Sequence, residues 1–518
     1  MSSTLRQGLG DRSRAVAILH PSSLPRPVSQ AHPESPDVIF IGIVHDPQNA
    51  FRLVDHGPAA DEQDQSILEN FRNLWGDKSE LRRFKDGRIV ESAVWEVKTA
   101  DEKAHVPSMV VRHLLKWHFG LEENAVETWQ TSYDSLLRLP TSISREIIGS
   151  GAPTGFKGAL NAFDTLVKQI KSLDDDLPLS LLNVSPISEA LRYTSVFSPV
   201  AFPTSLGQLL PANARYQMPI DIILEFEKSS RWPDDIKAVQ TIKLAFFEKL
   251  AIALIESVPG LKAKVVIGDG VHSSPLLDKS ALEIVTPEGW AFHAHIWHDR
   301  EVNLLDNIIG GKASLLPHIV TQKKEKKTPE HYEAIEAKEV YMRRFIHLPR
   351  HHRAIAALSH HYTAFSGTVR LAKRWLASHW LLHGHITEEV VELLCASFFV
   401  GSGRNDIDDN DTEKTLQHLV PASKERGFAL FVHFLKSWRW EEGLFVPLYG
   451  TGSATALSTA PNLSSKSVWR VGTEHDADGH MWTHNGPDHV VANRIHALAN
   501  ATWNYLQGLE TGHLNIQV

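Results

Sequence analysis

Cysteine is almost absent from this chain, because its 518 residues include only one, Cys395. A single cysteine can form neither an intramolecular disulfide nor a thiolate metal cluster, and this composition is typical of a reducing compartment such as the cytosol or the nucleus. Because Cys395 falls in the apolar run 391–400, we expect a small core residue and not a nucleophile.

The sequence also lacks any apolar run close to the roughly 20 residues that a membrane-spanning helix needs. Its N-terminus does not have the charged-then-apolar layout of a signal peptide. The P-loop and the glycine-rich dinucleotide fingerprint are missing too. These absences predict a soluble protein that is not secreted and has no nucleotide site of those two kinds.

An overall positive charge is missing as well, because the formal net charge is −8. A chain of this charge does not coat nucleic acid indiscriminately, so any contact with RNA must be local. Three basic clusters could supply such a contact, at 78–88, 323–327 and 343–353. The second of them is most simply a solvated linker or helix face.

What the sequence has is core material, with 42% hydrophobic residues that include 14 Trp and 21 Phe. A chain of this length is too long for one hydrophobic core, so we expect two to four domains.

Residues 1–36 show no strong period and are expected to be an irregular segment. Strand patterns are found at 38–44 (a buried strand), 80–84, 89–97, 220–226, 264–267, 281–285 and 290–298. Helical patterns are found at 66–75, 106–119, 123–137, 163–173, 234–256, 329–399, 427–438 and 488–506. This mixture predicts a multidomain α+β protein.

The most distinctive stretch is 71–95, with the sequence FRNLWGDKSELRRFKDGRIVESAVW. Four more distinctive segments are DHGPAA at 55–60, the segment 185–194, SSRWPDD at 229–235 and VRLAKRW at 369–375. Together, and in this order, they resemble the Nrap family, also called nucleolar protein six, whose members are small-subunit processome components. The resemblance spans most of the chain.

The resemblance implies a specific domain order. After the irregular segment, 37–150 is similar to the family's third domain, an α+β domain. Residues 155–340 are similar to its degenerate nucleotidyltransferase-like domain, and 341–507 to its helical domain of the poly(A)-polymerase or oligoadenylate-synthase type, followed by a tail at 508–518. The family's first two domains and its last one are expected to be missing, so this chain would cover the middle of the architecture.

The family also implies a function. We expect a non-catalytic ribosome-biogenesis scaffold of the nucleus and nucleolus that binds precursor ribosomal RNA during 18S rRNA maturation. The partners implied are the U3 small nucleolar ribonucleoprotein, a factor of the ribosomal RNA processing protein seven type, and casein kinase two. No membrane is implied. One alternative is an active metal-dependent RNA nucleotidyltransferase with atypical carboxylates, and another is a protein-binding adaptor that never contacts RNA.

Candidate RNA-binding residues come from the two basic segments of this resemblance. They are Lys78, Arg82, Arg83, Lys85, Arg88, Arg370, Lys373 and Arg374. If 81–85 is a strand, Arg82 and Arg83 point to opposite faces, and pairing with Glu80, Asp86 or Glu91 is an alternative to RNA contact. In the second segment, 368–381 would form an amphipathic helix with Val369, Ala372, Leu376 and Trp380 on its apolar face and the three cations at its margin. A core helix with solvated basic edges is at least as good an interpretation.

The enzyme alternative needs paired carboxylates for two Mg²⁺ ions and a Gly-Ser turn for the triphosphate. Ser229-Ser230 stands where Gly-Ser would be, and Glu283 has no second carboxylate two residues away. Gly401-Ser402 followed by Asp406 and Asp408 is better explained as an acidic loop. We therefore expect no catalytic residue and no cofactor.

Two further groups could hold a metal. Asp221, Glu225 and Glu227 share one face of the expected strand 220–226, which a solvent-facing strand edge explains without chemistry. His293 and His295, with His298 just beyond, point the same way from another strand, but no third ligand is positioned by the sequence. A polar outer sheet face is the simpler interpretation. We therefore expect no metal.

Overall fold

The chain divides into two units in the computed structural model, one formed by 1–137 with 358–518 and the other by 138–357. The structure describes residues 1–19, 39–46, 48–85, 87–97, 100–210, 217–230, 232–268, 274, 276–310, 329–400, 420–450, 456–458 and 467–510. The basic cluster 323–327, the acidic loop with Asp406 and Asp408, Asp86, and most of the tail 508–518 lie outside these ranges. None of the helices in the described ranges has the length and apolar character of a membrane span.

The first unit begins with an α+β part. Its elements are α1 (Ser2–Leu9), β1 (Ser13–Leu19), β2 (Phe40–His45), β3 (Val54–Ala59), α2 (Gln65–Trp75), β4 (Ser79–Arg83), β5 (Ile89–Val94), α3 (Ala100–Lys103), α4 (Val106–Phe119) and α5 (Trp129–Leu136). Strands β1 and β2 pair antiparallel, and a second sheet has the order β3-β5-β4. The core between them and the helices contains Trp75, Trp95 and Leu114. The predicted helix 106–119 is confirmed at its bounds.

The expectation of an irregular segment was wrong for residues 2–19. Leu5 and Leu9 lie one helical turn apart in α1 and are fully buried in the same core as α4. Two apolar positions are too few to reveal a helical period in a sequence. The strand expected to be buried at 38–44 was also misjudged, because β2 pairs with β1 and leaves Phe40 and Val44 half exposed.

The C-terminal part of the first unit is mainly helical, as predicted. Its elements are α13 (Thr363–Ser378), α14 (Glu388–Val400), α15 (Lys424–Ser437), β11 (Leu444–Phe445), β12 (Val471–Gly472) and α16 (His489–Glu510). Cys395 is buried in α14, which confirms it as a core residue, and burial raises the pKa of its thiol.

The second unit holds a five-stranded mixed sheet with helices. Its elements are α6 (Thr141–Ser150), α7 (Phe156–Lys171), β6 (Leu181–Pro186), α8 (Thr204–Leu209), β7 (Ile220–Phe226), α9 (Ile236–Ser257), β8 (Lys262–Ile267), β9 (Ser280–Val285), β10 (Ala291–Trp297), α10 (Arg300–Ile309), α11 (Pro329–Tyr341) and α12 (Leu348–His361), the last following a π-helical turn at Met342–His347. The strand order is β6-β7-β10-β9-β8. The predicted strand 220–226 is confirmed at its bounds.

Both faces of this sheet are covered, at least in part. One face packs Ile222, Leu224 and Phe292 against α7 and α9. The opposite face carries Ile223, which packs with residues of α10 and α11. Because β7 pairs with β6 on one side and with β10 on the other, the interpretation of 220–226 as a solvent-facing edge was wrong.

The domain boundaries expected near 150 and 340 stay a prediction. Helices α6 and α11, which end at Ser150 and Tyr341, both belong to the unit 138–357. Ile147 of α6 packs with Leu206 and Leu210, and Tyr341 packs with Leu305. By contacts alone, the middle unit is therefore wider at both ends than the sequence patterns indicated.

Candidate functional site

The hairpin of β4 and β5 presents a group of cations to solvent. Arg82, Arg83, Lys85 and Arg88 are all exposed, on or just after the outer strand of the β3-β5-β4 sheet. These side chains lie within a short length of chain, but Arg82 and Arg83 are adjacent on β4 and project from opposite faces of the strand, so the four cations do not all share one surface. We call these four residues the basic hairpin.

Ion pairing differs from residue to residue in this hairpin. Arg82 donates to Glu80, with 3.0 Å between Nη2 and Oε2, but both side chains are at least 44% exposed. An exposed pair of this kind contributes little to stability. Glu91 is 3% exposed and pairs with Arg72 and Ser79 instead. Arg83 and Lys85 therefore remain the best-placed cations for an anionic partner.

Lys78 lies beside the hairpin but is half-buried. Its Nζ lies 5.5 Å from the ring centroid of Trp95, a buried core residue. This cation–π contact gives Lys78 a structural role in the first unit.

The second basic segment is not a surface. Arg370 and Lys373 on α13 are at most 1% exposed. The Lys373 ammonium lies 2.8 Å from Glu392 Oε1 and also contacts Glu388, so α14 neutralises it. RNA contact was therefore wrongly predicted for Arg370 and Lys373, because α13 is surrounded by other elements on the side where the sequence indicated a solvated margin. Arg374 alone of the three is exposed.

The apolar face predicted for this helix needs one correction. Helix α13 ends at Ser378, and Trp380 follows with a positive φ of 61° and an exposed fraction of 87%. Trp380 thus lies outside the helix and outside the core.

Among the described residues, Asp221 and Glu283 of the sheet do not form the adjacent pair that nucleotidyl transfer requires. In the ladder, His293 of β10 lies between Asp221 of β7 and Glu283 of β9. Glu283 Oε2 is also 3.0 Å from Lys264 Nζ. Glu227 falls after the end of β7 and is exposed. The described strands therefore hold Asp221 and Glu283 apart, with an imidazole between them.

Asp221, His293 and His295 form a cluster that the sequence did not predict. Asp221 Oδ1 is 3.3 Å from His293 Nδ1 and 3.4 Å from His295 Nε2. In the ranges that the structure describes, these three residues are the one group of His, Cys, Asp and Glu side chains that could converge on a metal ion. We call them the Asp-His-His cluster.

No third ligand beside His293 and His295 was positioned by the sequence, but the fold supplies a candidate in Asp221. Parallel pairing of β7 with β10 places Asp221 directly opposite His293, across 72 residues of sequence. The outer-face interpretation also fails at His295, whose side chain is only 10% exposed. His298 does not join the cluster. Its ring lies 4.1 Å from the ring of Trp232, and burial lowers its pKa to about 4.

The electrostatics of the cluster favour a carboxylate beside neutral imidazole. Partial burial raises the pKa of Asp221, but the hydrogen bonds from His293 and His295 outweigh it, so the net pKa is well below its usual range. Burial lowers the pKa of His295, and the nearby Arg344 lowers it further, against the raising effect of Asp221. His295 is thus neutral near pH 7 and keeps one ring nitrogen with a free lone pair.

A groove of about 490 Å³ opens on the same face of the sheet. Ile223, Glu225 and Trp297 line it from β7 and β10, and Arg350 and Arg353 line it from α12. Both arginines are exposed. They belong to the third basic cluster of the sequence, but nothing in the sequence placed them opposite this sheet.

Comparison with known proteins gives three matches to one family. The models match in order along the chain: Nrap protein domain 3 over residues 1–120, Nrap protein nucleotidyltransferase domain 4 over 132–360, and Nrap protein PAP/OAS1-like domain 5 over 362–518. The α+β class and the nucleotidyltransferase-like and helical domains expected from the sequence agree with these matches.

Curated relatives match over 78 to 96% of the chain. U3 small nucleolar RNA-associated protein 22 of Schizosaccharomyces pombe is 27% identical over 96% of this chain and 42% of its own length. The Saccharomyces cerevisiae protein of the same name is 29% identical over 78% of this chain and 29% of its own length. Nucleolar protein 6 of Homo sapiens is 27% identical over 96% of this chain and 41% of its own length. The chain thus spans less than half the length of these relatives.

Proposed function

The chain belongs to the Nrap family, and from that premise we propose that it is a non-catalytic scaffold in ribosome assembly. The observation that carries this proposal is the order and coverage of the three family matches. The names of the relatives support it, because one names association with U3 small nucleolar RNA and another names the nucleolus. We accordingly propose a nucleolar location and association with the U3 small nucleolar ribonucleoprotein.

The absence of catalysis is part of the proposal. Transfer of a nucleotide needs carboxylates that hold two metal ions side by side. Here Glu283 is engaged by Lys264, and His293 separates it from Asp221. Ser229 and Ser230 stand in place of the Gly-Ser turn. These features support a degenerate nucleotidyltransferase body over an active enzyme.

We further propose that the basic hairpin contacts precursor ribosomal RNA. The formal net charge of −8 works against general adhesion to RNA, so a local cationic surface is required. Arg83 and Lys85 are exposed. Glu91, the buried carboxylate nearby, pairs with Arg72 and accepts a hydrogen bond from Ser79 instead. Arg374 is a further candidate. A factor of the ribosomal RNA processing protein seven type and casein kinase two are proposed as partners on the resemblance alone.

The hairpin is tested by Arg83→Ala combined with Lys85→Ala in the purified chain. Binding to a fragment of precursor ribosomal RNA is measured by fluorescence anisotropy over a range of salt concentrations. If both side chains contact phosphates, affinity at low salt should fall roughly 10- to 100-fold, and the slope of log K against log salt should become shallower by about 1.4 to 1.8. The melting temperature should not change, since both residues are exposed.

The matched control removes two exposed cations from α7, Lys168→Ala with Lys171→Ala. This control changes the net charge by the same amount but leaves the hairpin cations in place, so most of the affinity should remain. Equal losses in the two double variants would mean that only total charge matters. Unchanged RNA binding in the hairpin variant, or a lower melting temperature with intact binding, would contradict the role proposed for the hairpin.

A further inference from the structure

The geometry points to a divalent transition-metal site at the Asp-His-His cluster, and we propose that Asp221, His293 and His295 bind one Zn²⁺ ion. This proposal goes beyond the scaffold function and does not depend on it. It replaces the expectation of a chain without metal, which rested on the lack of a third ligand.

Two of the three separations between the ligand atoms fit a tetrahedral ion, and all three atoms lie within 4.8 Å of one another. Ligands that lie about 2.0 to 2.2 Å from zinc in a tetrahedron are about 3.3 to 3.6 Å from one another. Asp221 Oδ1 lies 3.3 Å from His293 Nδ1 and 3.4 Å from His295 Nε2. Both separations are longer than a well-formed N–H···O hydrogen bond, which is about 2.7 to 3.2 Å. These long hydrogen bonds hold the three side chains at a spacing that a shared cation also fits.

Regular strand geometry, and not a flexible loop, fixes these positions. Residues two apart on β10 project from the same face, so His293 and His295 are neighbours, with ring centroids 5.0 Å apart. Asp221 stands on the adjacent parallel strand β7 as the partner of His293. Ligands on paired strands lose little freedom on binding a metal, which favours affinity.

The choice of zinc follows from the ligand types. Two imidazoles with one carboxylate suit zinc and its first-row neighbours, whereas Mg²⁺ prefers oxygen ligands and retains its water. Three protein ligands leave a fourth position for water. The ion would therefore differ in kind and in place from the metal pair of a nucleotidyltransferase.

Two features predict moderate affinity. His293 Nε2 and His295 Nδ1, the ring nitrogens that face away from Asp221, are buried without a hydrogen-bond partner among the described residues. Tight zinc sites usually supply an acceptor there, and its loss costs about 10- to 100-fold in affinity. Arg344 adds a positive charge close to His295. We therefore expect micromolar binding.

The test uses the full chain without a polyhistidine tag, freed of metal and titrated with ZnCl₂ by calorimetry. Co²⁺ serves as a spectroscopic probe, because tetrahedral coordination gives it strong visible absorption. We expect one equivalent of zinc that is lost, or weakened at least about tenfold, in Asp221→Asn and in His295→Gln. Asp221 is 44% exposed at its side chain, so Asp221→Asn should keep the fold even if the more buried His295→Gln does not.

The control variant is His360→Gln with His361→Gln, an exposed adjacent pair on α12. Since adjacent side chains diverge around a helix, this variant should retain the zinc equivalent and the Co²⁺ spectrum. Equal zinc binding by the parent chain and by Asp221→Asn would overturn the proposal. Mg²⁺ binding that depends on Asp221, with no response to zinc, would overturn the choice of metal.

Discussion

Lys373 should prove to be a structural residue, and the substitution Lys373→Met measures how strongly. Its ammonium is fully buried between Glu388 and Glu392, whose side chains are 10% and 0% exposed. Methionine keeps the apolar stem and most of the volume but removes the ammonium that both carboxylates contact. Removing one partner of a buried ion pair costs about 3 to 5 kcal/mol, and here one cation serves two anions.

Native-state hydrogen exchange is the suitable assay, since the chain has two units that can open separately and a single melting temperature would mix them. Each 1.4 kcal/mol is a factor of about ten in an opening equilibrium. Protection of the amides in α13 and α14 should therefore fall by about two to four orders of magnitude, while the sheet of the second unit should keep its protection.

A triple variant provides the control. Adding Glu388→Gln and Glu392→Gln to Lys373→Met removes both carboxylate charges, so most of the protection should return. RNA affinity per folded molecule should be unchanged in both variants. Unaltered exchange in Lys373→Met together with weaker RNA binding would refute the structural assignment and restore Lys373 as a contact residue.

Two further predictions concern packing and acid stability of the first unit. Gly427→Ala should lower the stability of the first unit by about 1 to 3 kcal/mol in native-state hydrogen exchange, because the new Cβ would lie 2.0 Å from Thr368 Oγ1 on α13. Gly149→Ala in the second unit, where a Cβ would have nothing within 4 Å, should leave the exchange of both units unchanged. For Asp55, burial raises the pKa, but the hydrogen bond and charge of Arg12 lower it more, so the net pKa is depressed. A depressed carboxyl pKa contributes stability above the unfolded value of about 3.9 and loses it as pH falls. Denaturant unfolding should show a gap between the parent chain and Asp55→Asn that is constant above about pH 5 and shrinks below about pH 4; a gap that grows in acid would contradict this.

Local sequence patterns were sufficient to predict elements whose bounds depend only on adjacent residues. The strand 220–226 and the helix 106–119 were predicted at their bounds, because alternation and helical period are carried by adjacent residues. The side of α13 that is buried could not be predicted in this way. Glu388 and Glu392, which neutralise Lys373, come from the next helix, and a basic margin looks the same in sequence whether it is solvated or paired.

The Asp-His-His cluster illustrates the same limit for a site. Both parts of the cluster were identified in the sequence, Asp221 on one expected strand and His293 with His295 on another. Their meeting depends on a parallel pairing between strands 72 residues apart, which no local pattern specifies. The basic hairpin was easier to predict from the sequence, because β4 and β5 are adjacent along the chain and pair with each other.

Ultraviolet crosslinking in living cells tests the central claim most directly. The parent chain and its Arg83→Ala, Lys85→Ala variant would be recovered with their bound RNA, and the RNA and the crosslinked peptides would be identified. A ribosome-assembly scaffold predicts enrichment of precursor ribosomal RNA, crosslinks within 79–94, and loss of those crosslinks in the variant. Recovery of no ribosomal precursor, from chains that are folded and nucleolar, would contradict the account.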